Sequence, residues 1–198
     1  MRARPPCGVL AHNRLAGSRP MIILAPMLGL WPASLPVHAA AQLESSPELG
    51  KADGACREEE PGPALIVTAV GLKDRAGLLK LEVYPDNDRD FLQDDNILVQ
   101  QGKTFRRTEA AVPAHGLPQL CVRLPSAGRY AVSLLHDRNG NHKFDLSGDG
   151  AGFGGNPKIG WSKPRAAQSV VVAGEGVTRA DIVLNYRKGL LAFGPLKR

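Results

Sequence analysis

Of the 198 residues only 3 are cysteine, 2 tryptophan, 3 tyrosine and 5 phenylalanine. So few cysteines exclude a zinc or iron–sulfur framework, which needs clustered thiolates. So few aromatics leave little for stacking sugar rings or bases. No apolar run approaches the ~20 residues that a membrane-spanning helix needs. The Gly-x-Ser-x-Gly turn of an α/β-hydrolase nucleophile is missing, and no internal repeat stands out. Acidic residues are absent from the first 41 positions, which carry Arg2, Arg4, Arg14 and Arg19. Setting those four arginines aside leaves 21 Lys+Arg against 19 Asp+Glu, a balance of +2 out of the formal +6. A body that close to neutral has no electrostatic case for binding phosphate backbones, so nucleic acid is not an expected partner.

Residues 1–41 read as a secretory signal peptide. The basic stretch precedes the apolar run Met21-Ile-Ile-Leu-Ala-Pro-Met-Leu-Gly-Leu-Trp31, which is too short and too interrupted by Pro26 to span a bilayer. Small residues follow at Ala39-Ala40-Ala41, placing cleavage after Ala39 or Ala41. The expected address is periplasmic or extracellular, with no membrane span in the mature chain. Cleavage would remove Cys7 and leave Cys56 and Cys121, which in an oxidising compartment are expected to pair.

After the leader, residues 42–63 are polar and read as a flexible lead-in. Residues 64–188 form a series of short β-type runs at 65–70, 78–84, 104–112, 120–124, 129–136, 168–173 and 177–186, divided by Gly, Pro, Asn and Asp. In the second run Leu79, Leu81 and Val83 fall on one face and Lys80 and Glu82 on the other. Residues 89–101 suit a short helical turn or a tucked loop, and Gly174-Glu-Gly176 suits a hairpin. Residues 189–198 read as a tail. The pattern predicts an all-β, antiparallel sandwich of about seven strands, immunoglobulin-like or transthyretin-like. Gly128-Arg-Tyr130 at a strand start suits a tyrosine corner, the hydroxyl bonding to backbone upstream.

The most specific stretch is His136-Asp-Arg-Asn-Gly-Asn-His-Lys-Phe-Asp145. Asp137, Asn139, Asn141 and Asp145 occupy relative positions 1, 3, 5 and 9 of an oxygen-rich loop, and the Lys143 carbonyl falls at position 7. This spacing suits Ca²⁺ at the millimolar affinity of extracellular modules, although His142 replaces the usual Gly at position 6 and Gly148 the usual Glu at position 12, with Asp149 one residue further on as its substitute. The bland alternative is a tight turn whose Asp and Asn side chains cap their own backbone amides.

His-Asp-x-Asn-Gly-Asn-x-x-x-Asp after a Tyr-Ala-Val strand resembles the secreted bacterial family catalogued as domain of unknown function 2141. Gly152-Phe-Gly-Gly-Asn-Pro157, Gly160-Trp-Ser-Lys-Pro-Arg-Ala166 and the last strand, Ala180-Asp-Ile-Val-Leu-Asn-Tyr186, extend the likeness over residues 65–186. The resemblance implies an exported sandwich and no established activity. His115, His136 and His142 are the only histidines beyond the leader and lack the partners of a catalytic set. The expectation is therefore a non-catalytic envelope domain, candidate Ca²⁺ included. The rival expectation is a module that binds envelope glycan or peptide through residues 147–166, with Trp161 as the contact residue.

Overall fold

A computed structural model describes residues 42–160, 162–190 and 192–196. The leader and Trp161 lie outside them. Ten strands and two short helices follow in order: α1 (Lys51–Gly54), β1 (Ala64–Val70), β2 (Leu78–Pro85), α2 (Asp95–Gln100), β3 (Arg106–Ala111), β4 (Gln119–Arg123), β5 (Gly128–Asp137), β6 (Gly150–Phe153), β7 (Val170–Ala173), β8 (Val177–Val183), β9 (Asn185–Lys188) and β10 (Ala192–Pro195). The small sheet runs β4-β1-β8, and the large one runs β10-β9-β6-β5-β2-β3 with β7 also paired to β5. This is the all-β sandwich that the alternating pattern predicts.

The main core lies between the sheets. Leu65 and Val67 of β1, Leu81 and Val83 of β2, Val132 and Leu134 of β5, and Ile182 are buried there. Period-two alternation puts each set on one face of its strand, and the lost apolar area drives the two sheets together. The Tyr130 hydroxyl donates to Ser126 O at 2.9 Å, forming the expected corner.

Three details differ from the sequence expectation. One strand pair, β1 with β8, is parallel. The predicted hairpin at Gly174–Gly176 is instead a crossing between sheets, since β7 pairs with β5 and β8 with β1. The predicted strand 177–186 is two strands: at Leu184, whose N–H donates to Val70 O at 2.9 Å, the chain leaves β1 and Asn185 joins β6 in the other sheet.

The two strands outside the predicted runs, β6 and β10, have weak sequence signals. In β6, Gly-Ala-Gly-Phe, a Cβ on Gly150 would lie 2.4 Å from the Tyr186 ring, and one on Gly152 would lie 2.6 Å from Ile182 and 2.8 Å from Val183 O. Glycine is there because β8 and β9 pass so close, and its low strand propensity hides the strand. Within the expected tail, β10 adds to β9.

Residues 42–63, expected to be a loose lead-in, are docked. Gly50 O accepts from Arg107 N–H, Ser46 O accepts from Arg107 Nη1 at 2.8 Å, and Leu43 O accepts from Asn96 Nδ2. Lys51 pairs with Glu109 at 2.8 Å. A disulfide joins Cys56 to Cys121 of β4, with Cα atoms 5.9 Å apart across 65 residues of sequence. In the chain-entropy view such a bridge stabilises by about 4 kcal/mol.

Candidate functional site

The outer face of the large sheet positions the site. At one end it is covered by a second apolar cluster containing Tyr84, Phe91, Leu98, Phe105, Ala131 and Phe153. Tyr84 meets Phe91 and Phe105 edge-on, with centroids 5.6 and 5.4 Å apart. The covering comes from residues 86–105 and from an excursion at 154–169. Strands β6 and β7 lie along the same edge of β5, and the excursion leaves between them. Gly154 N–H donates to Val132 O, and Val132 N–H to Ser169 O, so the ladder on β5 continues across the gap.

Polar side chains pin the excursion down. Asn156, at φ 49°, donates through Nδ2 to Asp181 O at 2.8 Å and accepts from Val183 N–H at 2.7 Å. Asp88 Oδ1 accepts from Ala166 N–H at 2.7 Å. Lys163 Nζ donates to Phe91 O at 3.1 Å.

Beyond the cluster the outer face is open, and a cavity of about 400 Å³ lies on it. Its walls include Leu135, Phe153, Ile159, Phe144, Leu146 and Phe193. Lys80, Glu82, Ser133 and Lys163 supply the polar part. Glu82 and Lys80, expected on the polar face of β2, are thus part of a covered surface, and Glu82 is buried. Glu82 Oε1 accepts from Arg107 Nε at 2.9 Å, and its Oε2 accepts from the Tyr84 hydroxyl at 2.7 Å. Arg107 also pairs with buried Asp95 at 3.1 Å. Such a buried charge set persists only because every member is partnered.

The 137–149 loop builds the cavity rim. Asp137, 1 % exposed, takes three backbone amides: Gly140 N–H at 2.8 Å and Asn141 N–H at 3.2 Å on Oδ1, and His142 N–H at 2.7 Å on Oδ2. Asp149, equally buried, accepts from Arg138 N–H and Asp145 N–H at 2.9 and 2.8 Å. Asn139 and Asn141 both turn Nδ2 onto Asp145 Oδ2 at 2.8 Å. Their own oxygens accept from the amides of Asn141 and Lys143. The structure therefore gathers Asp137, Asn139, Asn141, Lys143 and Asp145 into one loop, joined by caps of the Asx type. Among the described residues no group of three His, Cys, Asp or Glu side chains is arranged to hold a metal ion. The caps leave Phe144 and Leu146 exposed at the rim, and Phe144 meets Phe193 of β10 edge-on at 6.3 Å.

His136 has no exposed surface. Its Nε2 lies 2.8 Å from Ala76 O, a pure acceptor, so the proton resides on Nε2. Its Nδ1 then accepts from the Tyr186 hydroxyl at 2.7 Å, and that oxygen accepts from Lys73 N–H at 3.1 Å. Burial holds His136 below its ordinary pKa and pushes Tyr186 up to about 12. Arg138, hydrogen-bonded to Asp74, holds that carboxyl below its usual value. His142 faces Glu109 at 3.1 Å. Sequence reasoning took Asp149 as a substitute ligand for position 12, whereas here it caps two backbone amides, and it missed the bonds of Asn156 and the buried Glu82–Arg107–Asp95 set. Of these only the Asn156 segment carried a sequence signal, through the family likeness.

Trp161 lies outside the described residues, but Gly160 and Ser162 on either side of it line the cavity. No helix among the described residues is long and apolar enough to cross a membrane.

Fold and site together define a two-sheet β-sandwich with an apolar cavity on the outer face of its larger sheet. The chain belongs to the family of domain of unknown function 2141, described as an uncharacterized protein conserved in bacteria, whose model matches residues 67–181, from β1 into β8. No curated protein and no solved structure matches the chain.

Proposed function

We propose that the chain is an exported, non-catalytic binding module of the cell envelope that takes an apolar ligand in the cavity over the large sheet. The cavity carries this reading. Its volume falls in the range of small-molecule sites, its walls are mainly aliphatic and aromatic, and its lining includes a few polar groups. Those walls favour an apolar group over a glycan, whose hydroxyls would need many more partners. The Cys56–Cys121 bridge supports export, because disulfides persist in oxidising compartments. The histidines support a non-catalytic role: both nitrogens of His136 are engaged, and it has no exposed surface. Titration with a neutral naphthylamine dye tests the reading. Saturable fluorescence enhancement is expected, lost in Ala151→Trp, which fills the cavity while the melting curve stays cooperative. Absence of binding by the wild-type chain would reduce the domain to a structural role.

A second reading, Ca²⁺ at Asp137–Asp145, is favoured by one observation. His142, at the sixth position, has φ 64°, the left-handed backbone for which an oxygen-liganded loop ordinarily uses Gly. Binding would exchange the two Asn N–H bonds on Asp145 for Asn oxygens directed at the ion. A melting temperature that rises with Ca²⁺ and returns with chelator supports the ion, and identical curves assign the loop to its caps alone.

A further inference from the structure

The charge on the cavity wall narrows the ligand class, and this step rests on the binding reading above. The wall carries Lys80, Glu82 and Lys163. Glu82 is already neutralised: Arg107 Nη2 reaches its Oε1 at 2.8 Å, and Lys80 Nζ lies 3.5 Å from the same oxygen. Arg107 and Lys80 together balance Glu82 and Asp95, so that set contributes no net charge. Lys80 further donates to His142 O at 3.1 Å, which ties the rim loop to β2. Lys163 is different. Among the described residues its acceptor is the neutral Phe91 carbonyl, and it forms no ion pair there. An ammonium has three donors, so two remain for a ligand.

We infer that the cavity binds a single-chain amphiphile with an anionic head, an acyl carboxylate, its chain against Leu135, Phe153 and Ile159 and its carboxylate on Lys163. Charge complementarity selects the sign of the head, because Lys163, exposed to solvent, is the lining cation that no carboxylate among the described residues already pairs. The volume selects one chain rather than two, since about 400 Å³ lies near the lower end of small-molecule cavities. The exposed rim residues Phe144 and Leu146 extend the apolar path outward. Each methylene entering the cavity should then tighten binding about fourfold, the equivalent of ~0.8 kcal/mol.

Calorimetric titration of the full chain with octanoate, decanoate, decanol and decylamine tests the inference. Decanoate is expected to bind more tightly than octanoate, and more tightly than decanol by about fivefold, the advantage of one partly screened ion pair. That advantage should shrink with added salt. Lys163→Met should equalise decanoate and decanol while decanol binding persists, and Ala151→Trp should abolish both. Equal affinity for decanoate and decanol in the wild type, or preference for decylamine, overturns the anionic head and leaves the binding module standing. Binding of the neutral dye without any of the ten-carbon ligands likewise overturns the amphiphile alone. Failure of the dye and of every ligand overturns both readings.

Discussion

Replacing Asp137 probes the physical basis of the loop. Its carboxylate accepts three backbone amides at 2.7–3.2 Å in a site with 1 % exposure. In Asp137→Asn the side-chain oxygen can keep the bonds from Gly140 and Asn141. The new amide nitrogen then faces His142 N–H, donor against donor. One buried amide is orphaned and a charge-assisted bond is lost, which costs about 2–3 kcal/mol. In Asp137→Ala all three amides lose their acceptor, and the expected cost is about 3–6 kcal/mol, a large share of a typical domain's stability. Urea unfolding resolves both, since with a slope of ~2 kcal/mol per molar the Asn variant moves its midpoint by about 1 M. The order wild type, Asn, Ala is the essential outcome. An Asn variant within about 0.5 kcal/mol of wild type would refute the capping argument, because surface substitutions far from such features fall in that range. Repeating the series in chelator and in about 10 mM Ca²⁺, above the range of weak extracellular sites, separates the two readings of the loop. A cost that appears only with Ca²⁺ makes the carboxylate an ion ligand, and a cost equal in both makes it a cap.

Gly150→Ala places a methyl 2.4 Å from the Tyr186 ring and should destabilise by about 1–3 kcal/mol in the same assay, whereas Gly160→Ala, which meets nothing within 4 Å, should not. Protein from the exported fraction should have lost residues 1–41 by intact mass and should show no alkylatable thiol before reduction; Cys56→Ser with Cys121→Ser should cost 2–5 kcal/mol, as roughly expected for a native bridge. His136, held below its ordinary value by burial, remains neutral in the folded state while the unfolded chain takes up a proton below about pH 6.5. Its contribution is therefore complete above that pH and is lost as pH falls, with a slope of up to about 1.4 kcal/mol per unit. Urea midpoints unchanged between pH 7.5 and 5.5 would contradict this.

Most of the sandwich was legible because apolar alternation is a statement about which face is buried. β2 and β5 show it, and their inward residues are in the main core, whereas β1 reads as a strand through its run of β-branched and apolar residues. Illegible were the elements whose sequence is set by close approach rather than by burial. β6 needs glycine under Tyr186 and Ile182, so its composition reads as a turn. The break at Leu184 is invisible because Ile182, Leu184 and Tyr186 keep one buried face through the change of sheet. The lead-in reads as loose because, besides the Cys56 bridge and the Lys51–Glu109 pair, its attachments are backbone carbonyls taking Arg107 and Asn96, and a carbonyl has no sequence signature. In the loop the structure gathers the residues that the spacing picked out, but spacing alone does not distinguish oxygens converging on an ion from oxygens capping amides.

The capping side chains and the cavity have a common mechanical logic. Nearly all of the outer wall is irregular chain, and irregular chain keeps one shape only where its backbone groups are satisfied. Asp137 and Asp149 satisfy the rim loop, each with two or more amides. Asn156 satisfies the exposed edge of β8 with one donated and one accepted bond, much as a neighbouring strand would. Asp88 fixes the excursion at Ala166. These side chains lie around the apolar walls rather than among them. Their effect is to hold Phe144, Leu146 and Ile159 over the sheet at a distance that prevents collapse onto Leu135 and Phe153. An apolar cavity with unsupported walls would close, because contact between those side chains recovers buried area at about 25 cal/mol per Å². The polar motif therefore keeps the cavity open, and a substitution such as Asn156→Ala should weaken ligand binding by a larger factor than its distance from the cavity walls suggests.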